Sequence, residues 1–184
     1  MTPICQGRRV RTTSSREVYR NDWIRVREDA FELDDGTTGI YGVVEKADFA
    51  LVLPEQDGGF WLVEQYRHPV GHRSWEFPQG TWPAGAGGSR EELARAELAE
   101  ETGLRAGRLE HLGRLDLASG LLTQRFDVWS ATDLTPGPTA REATEADMQQ
   151  AFVPETELRR RMRDGGVTDS PSLAAYGLLL LHRG

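Results

Sequence analysis

Apolar and charged side chains alternate along much of the first third of the chain. In EVYRNDWIRVREDAFEL (17–33), Val18, Tyr19, Trp23, Ile24 and Val26 are interleaved with charged residues, as in strands that keep one face in water. DDGTT (34–38) follows, an Asp-Gly signal that predicts a turn. IYGVVEK (40–46) and FALVLPE (49–55) read as strands, DGG (57–59) as a hairpin turn, and FWLVEQYR (60–67) as the returning strand. A meander of this kind predicts an antiparallel sheet or the start of a mixed one.

The β pattern breaks at WEFPQG (75–80), and TWPAGAGGS (81–89) is a loop too rich in Gly, Pro and Ala to be regular. A helix then begins at Ser89, which with Glu92 has the spacing of a capping box. Gly103 ends it as a C′ glycine, with Leu104 ready for the accompanying apolar contact. LEHLGRLDL (109–117), RFDVWSATDL (125–134) and QAFVP (150–154) predict further strands, with 135–148 as a polar loop. PETELRRRM (154–162) predicts a helix entered by Pro154, and SPSLAAYGLLLL (170–181) one capped by Ser170 with Pro171 at N1. The expected fold class is α/β, with helices packed on a mixed sheet.

This order divides the 184 residues into a flexible tail at 1–17, a β segment at 18–48 and a main domain at 49–184. No stretch approaches the run of about 18 apolar residues that a membrane span needs, so no membrane partner is expected. The formal net charge of −7 repels a polyanion, and no Arg-rich stripe with aromatics offsets it, which disfavours nucleic acid as a partner. Cys5 is the lone cysteine; it excludes an internal disulfide and fits a reducing, cytoplasmic setting.

Charge matters most within the 89–103 helix. At about 100° per residue, Leu93, Ala94 and Leu98 share one side, with Arg95 and Thr102 opposite. Glu97 and Glu101 fall inside the apolar arc and Glu100 at its edge. A solvated acidic face would set its acids opposite the leucines. Like charges crowded on the inward side need cations to neutralise them, and clustered hard oxygens suit Mg²⁺ or Mn²⁺ with water and a substrate phosphate.

Gly80, the glycine-rich loop and AELAEETGL (96–104) resemble the Nudix box, G-x5-E-x7-R-E-U-x-E-E-x-G-U with U apolar. The E-U-x-E-E-x-G-U half matches without a gap as Glu97, Leu98, Glu100, Glu101, Gly103 and Leu104. The first half departs from the pattern: the segment before the box Glu is two residues longer, Gly88 stands at the Glu position, and Ala96 stands at the Arg position with Arg95 one place early. VYRNDWIRVREDAFELDDG, WLVEQYRHP, WEFPQG and GGVTDSPSLAAYGLLLL (165–181) resemble the ADP-ribose and nucleotide-sugar pyrophosphatase branch of that family.

The resemblance implies a Nudix-fold α/β/α sandwich with a mixed sheet, preceded by an N-terminal antiparallel β segment that helps to build a homodimer. It implies hydrolysis of a nucleoside diphosphate linked to another moiety, ADP-ribose or a nucleotide sugar, to a nucleoside monophosphate and a phosphorylated remainder. Glu97 and Glu101 are then the principal metal ligands, Glu100 a third ligand or a base, and the carbonyl of Gln79 completes a site. The general base is expected in the 135–148 loop, where Glu145 is the candidate and Asp147 and Glu142 compete with it. Arg67 would fork onto phosphate oxygens, and Glu76 either hydrogen-bonds a ribose or amide or is structural. His68 and His72 have i, i+4 spacing, but HPVGH is not helical, so no metal site is expected there. Trp82 either stacks on a base or sugar or lies at a dimer contact. Two alternatives stand beside this reading: a Nudix-like module that binds such a ligand without cleaving it, and a house-cleaning hydrolase of nucleoside triphosphates.

Overall fold

A computed structural model describes residues 10–83, 85–141 and 146–184. The chain forms two compact units, one from residues up to 47 together with 116–124, the other from 48–115 together with 125–184. Among the described residues no helix is long and apolar enough to cross a membrane.

The first unit is an antiparallel meander of β1 (Val10–Arg20), β2 (Arg25–Leu33) and β3 (Thr38–Glu45), in that order. Asp35 and Gly36 make the β2–β3 turn: the Asp35 carboxylate accepts the Thr37 N–H at 3.0 Å, and Gly36 adopts a φ of 82°. β1 starts inside the stretch that the sequence reads as a tail. Every residue of β1 is exposed, so no apolar period announces it. It is held by the ladder from Val10↔Leu33 to Arg20↔Arg25 and by cross-strand Arg11–Glu32 and Arg16–Glu28 ion pairs at 2.7 and 2.6 Å. Phe31 and Tyr41 pack across β2 and β3 with ring centroids 5.0 Å apart.

The second unit holds β4 (Phe49–Gln56), β5 (Gly59–Arg67), β6 (His72–Glu76), β7 (Gln79–Gly80), α1 (Arg90–Thr102), β8 (Leu104–Asp116), β9 (Arg125–Pro136), β10 (Gln149–Pro154), α2 (Glu155–Arg163) and α3 (Ser170–Arg183). Its sheet runs β10-β5-β4-β9-β8, with β6 added on β5 and β7 on β4. β4 pairs parallel with β9 and antiparallel with β5, which makes the sheet mixed. FALVL is buried throughout, as a central strand covered on both faces must be. Ala50 and Val52 pack with Leu93, Ala94 and Leu98 of α1. Strand alternation sends Leu51 and Leu53 to the other face, where α3 packs through Tyr176, edge-on to Phe60 at 5.9 Å. The result is an α/β/α arrangement around a mixed sheet.

Four local expectations are corrected. β6 and β7 continue the β structure past Arg67, because two short ladders, His72–Glu76 on β5 and Gln79–Gly80 on β4, pair without any apolar period. β8 begins at Leu104 and not at 109: Arg105, Gly107 and Arg108 are exposed and give no apolar alternation, so the pattern does not report the start of the strand. The N-cap of α3 is Asp169, not Ser170; the Asp169 carboxylate accepts the Ser172 N–H at 2.9 Å. Thr102 is buried, its hydroxyl donating to the Leu98 carbonyl and accepting the Leu104 N–H, so its polarity is satisfied within the helix end.

α1 itself is set by its ends. Ser89 Oγ accepts the Glu92 N–H at 3.2 Å and the Glu92 carboxylate accepts the Ser89 N–H at 2.7 Å, satisfying two orphan donors. The hydrogen bond from the Ser89 main chain, with a further contribution from its side chain, holds the Glu92 carboxyl below its ordinary range. Gly103 sits at φ 71°, and a Cβ there would lie 2.4 Å from the Gly137 carbonyl oxygen. Gly103→Ala therefore combines a left-handed penalty of about 1–2 kcal/mol with a backbone clash. We expect it to cost at least about 2 kcal/mol, read as a lower urea midpoint at unchanged m-value; an unshifted midpoint would show that the helix end tolerates a side chain.

Candidate active site

The inward face of α1 carries its acids against β7. Glu97 is 8% exposed and Glu101 1%, while Glu100 is half-buried at the edge of the same face. Glu101 Oε2 accepts the main-chain N–H of Gln79 at 3.2 Å. Gly80 touches Glu97 so closely that a Cβ would lie 2.3 Å from Oε2 and 2.7 Å from the carboxyl carbon. Pairing of Gln79–Gly80 with Leu51 and Ala50 fixes that dipeptide to the central strand. Two buried carboxylates and the carbonyls of a glycine-containing peptide are hard oxygen donors, and they fit a divalent cation whose remaining positions go to water and phosphate. Among the described residues, no three Asp, Glu, His or Cys side chains form a preformed cage, His68 and His72 included.

A second polar cluster adjoins Gln79. Arg67 forks onto Glu76, Nη2 to Oε1 at 2.7 Å and Nε to Oε2 at 3.2 Å. Gln65 Nε2 donates to Oε1 at 2.7 Å and Gln79 Nε2 to Oε2 at 3.2 Å. Glu76 is fully enclosed. Burial pushes its carboxyl up to about 7, the Arg67 guanidinium works against that rise, and the nearby Asp169 carboxylate adds to it. The Arg67 side chain is 39% exposed, so one side of its guanidinium faces outward while the other is braced.

The 135–148 loop is tied to the end of α1 by a residue that sequence reasoning missed. Arg141 Nε donates to the Glu101 carbonyl at 2.9 Å, its Nη1 donates to the Met148 carbonyl at 2.5 Å, and the Ala140 N–H donates to the Glu100 carbonyl at 3.0 Å. The last turn of α1 has no basic residue of its own, and that lack is the signal that an outside donor must satisfy its carbonyls. Asp147 is ion-paired with Arg73 at 2.6 Å and lies 64% exposed. Glu142 and Glu145 lie outside the described residues.

The altered first half of the helix motif has a local explanation. A Cβ on Gly88 would lie 2.9 Å from the Trp82 ring and 3.0 Å from Glu92 Oε2, so a larger residue there displaces Trp82 or the capping carboxylate. Trp82 packs against the cluster that contains Leu93 and Ala94. Arg95 instead bonds Glu91 at 2.8 Å and the Ala106 carbonyl at 2.9 Å.

Comparison with known proteins agrees with this geometry. A family model described as nucleoside diphosphate sugar hydrolase N-terminal domain matches residues 10–44, and one described as NUDIX domain matches residues 45–172. The chain is 33% identical over 173 residues to a Mycobacterium tuberculosis protein named ADP-ribose pyrophosphatase, covering 93% of this chain and 82% of that relative. A solved structure described as that of an ADP compounds hydrolase shares the fold, with a TM-score of 0.81 at 20% identity over 97% of this chain and 95% of that one. With a family model spanning residues 45–172 and the buried glutamates of α1 in place, the chain belongs to the Nudix family of hydrolases.

Proposed function

We propose that the protein hydrolyses the diphosphate of ADP-ribose or a nucleotide sugar, releasing a nucleoside monophosphate and a phosphorylated remainder, with Mg²⁺ or Mn²⁺ at the α1 carboxylates. The observation that carries this reading is the burial of Glu97 and Glu101 against Gln79–Gly80. The choice of substrate class is supported by the relative named ADP-ribose pyrophosphatase and by the N-terminal domain match.

In this reading Glu97, Glu101 and the Gln79 carbonyl hold the cation, with Glu100 as a further ligand or a base. When bound, the cation neutralises charge on the diphosphate and acidifies a water. Water oxygen forms a new bond to one phosphorus, the bridging P–O bond breaks, and the water's proton passes to a carboxylate. Arg67 offers its exposed edge to phosphate oxygens, and Glu76 sets the plane of that guanidinium. We assign the base to Glu145, in the segment between Arg141, which is bonded to the Glu101 carbonyl, and Asp147, which is held by Arg73. Asp147 is the weaker candidate because Arg73 already holds it.

Residues 18–48 we assign to a homodimer contact. Trp23, in the β1–β2 connection, is 74% exposed and Ile40, on β3, is 67% exposed, apolar area that a second copy would cover. Light scattering should return twice the monomer mass at micromolar concentration; a monomer would remove this assignment.

The functional test is incubation with ADP-ribose, UDP-glucose, GDP-mannose and a nucleoside triphosphate, with and without Mg²⁺, following the products. We expect metal-dependent release of a nucleoside monophosphate from a diphosphate substrate. Glu101→Gln keeps an acceptor for the Gln79 N–H but loses the charge, and turnover should fall by about 100-fold with the circular dichroism unchanged. Undiminished metal-dependent activity in that variant would sink the central assignment.

The raised Glu76 carboxyl gives a separate pH test. Its proton is held more tightly in the folded chain than in the unfolded one, so its stabilising contribution is full below about 4.5 and is lost as pH rises through about 7. That interval corresponds to roughly 3 kcal/mol. Relative to Glu76→Gln, the wild type should lose stability by up to that amount between pH 4.5 and 8 in urea unfolding. Parallel pH profiles for the two would mean that Glu76 titrates normally.

A further inference from the structure

The first turn of α3 is bonded to the peptide that carries Gln79. Ser172 Oγ, fully buried, accepts the Phe77 N–H at 2.9 Å. Asp169 Oδ2 accepts Gln79 Nε2 at 3.1 Å while also accepting the Ser172 N–H. Between them Pro78 has no N–H to satisfy, and its carbonyl accepts the Val52 N–H at 3.0 Å. The remaining donors of Gln79 go to Glu101, from the main chain, and to Glu76, from the amide. The Phe77–Gln79 tripeptide is thus pinned from the central strand, from α1 and from α3.

One feature of this arrangement exceeds the needs of α3. A helix N-cap requires one side-chain oxygen, and Ser, Asn and Asp serve about equally well there. Only a side chain as long as Asp or Asn presents that oxygen to the Gln79 amide as well. We propose that Asp169 is a positioning residue of the reaction site: by holding the Gln79 side chain it fixes the residue whose main-chain N–H rests on Glu101 and whose carbonyl would help to hold the cation. This rests on the assignment of the α1 carboxylates as cation ligands. Asp169 acts through Gln79 and touches neither cation nor substrate.

The test separates capping from positioning. Asp169→Ser keeps the cap and gives up the reach to Gln79; Asp169→Asn keeps both acceptor contacts and gives up the charge. Manganese affinity is measured without substrate by electron paramagnetic resonance, and kcat and KM for ADP-ribose are measured beside it. For Asp169→Ser we expect about tenfold weaker Mn²⁺ binding and a similar fall in kcat, the usual scale for a residue that orients a ligand, with thermal unfolding near that of the wild type. Asp169→Asn should stay within about twofold of wild type on both readouts, on the same scale. Wild-type Mn²⁺ affinity in Asp169→Ser overturns the inference, as does an equal loss in Asp169→Asn, which would make charge the agent. Should Asp169→Ser unfold, Gln79→Met removes the amide and keeps the main chain; it should show the same tenfold loss, and normal Mn²⁺ affinity there overturns the inference too. A wild type that neither binds Mn²⁺ nor cleaves ADP-ribose would instead overturn the functional reading beneath it.

Discussion

The contact on which the site depends is the one between the Gln79–Gly80 dipeptide and the carboxylates of Glu101 and Glu97. Two acids on the apolar side of a helix are costly to bury, because each loses its hydration and feels the other's charge. Neighbouring features reduce that cost. The Gln79 N–H replaces a water at Glu101, and the absence of a side chain on Gly80 leaves the space that the Glu97 carboxylate fills. Leu93, Ala94 and Leu98 hold the helix onto the sheet from the same face, and full burial of one such leucine is worth about 2 kcal/mol. The apolar packing fixes the helix; the helix holds its acids where a cation can use them.

The same contact orders the surroundings. Arg141 reaches back to the Glu101 carbonyl and Ala140 to the Glu100 carbonyl, so the loop that follows β9 is anchored at the residues whose side chains form the site. On the other side Gln79 links Glu101 to Glu76 and hence to Arg67. The buried glutamate of α1 and the Glu76-braced Arg67 are therefore joined through one glutamine, by its main chain in one direction and its side chain in the other.

How much of this the sequence discloses depends on the range of each interaction. The span and caps of α1 are legible: its period, its Ser89–Glu92 box and Gly103 are local signals. So is the inward placement of Glu97 and Glu101, which follows from helix geometry alone. β1 and the first half of β8 are not legible, because exposed polar strands owe their existence to pairing partners and not to alternation. The bracing of Arg67 by Glu76, the hold of Arg73 on Asp147 across 74 residues and the Arg141 bond to α1 across 40 are long-range. Composition and spacing carry no record of them. The Asp169 cap lies between these cases. Thr168, Asp169 and Ser170 are all residues that cap helices; the one that does so, Asp169, also accepts from the Gln79 amide ninety residues away.

The departures at Gly88 and Ala96 then look different from a damaged motif. With the acidic and the basic position of the motif both replaced, no buried charge is left without a counterpart, as a lone survivor would be. Here Trp82 lies where a side chain on residue 88 would have to go, and it packs on the cluster around Leu93. Arg95, one place from the usual arginine, spans from Glu91 to the Ala106 carbonyl and ties α1 to β8 instead. The loop is held by aromatic packing and a capping box. Neither substitution reaches the inward face. Glu97 and Glu101 rest on contacts with β7 that do not involve residue 88 or 96, so the placement of these two buried acids is independent of the half of the motif that has changed.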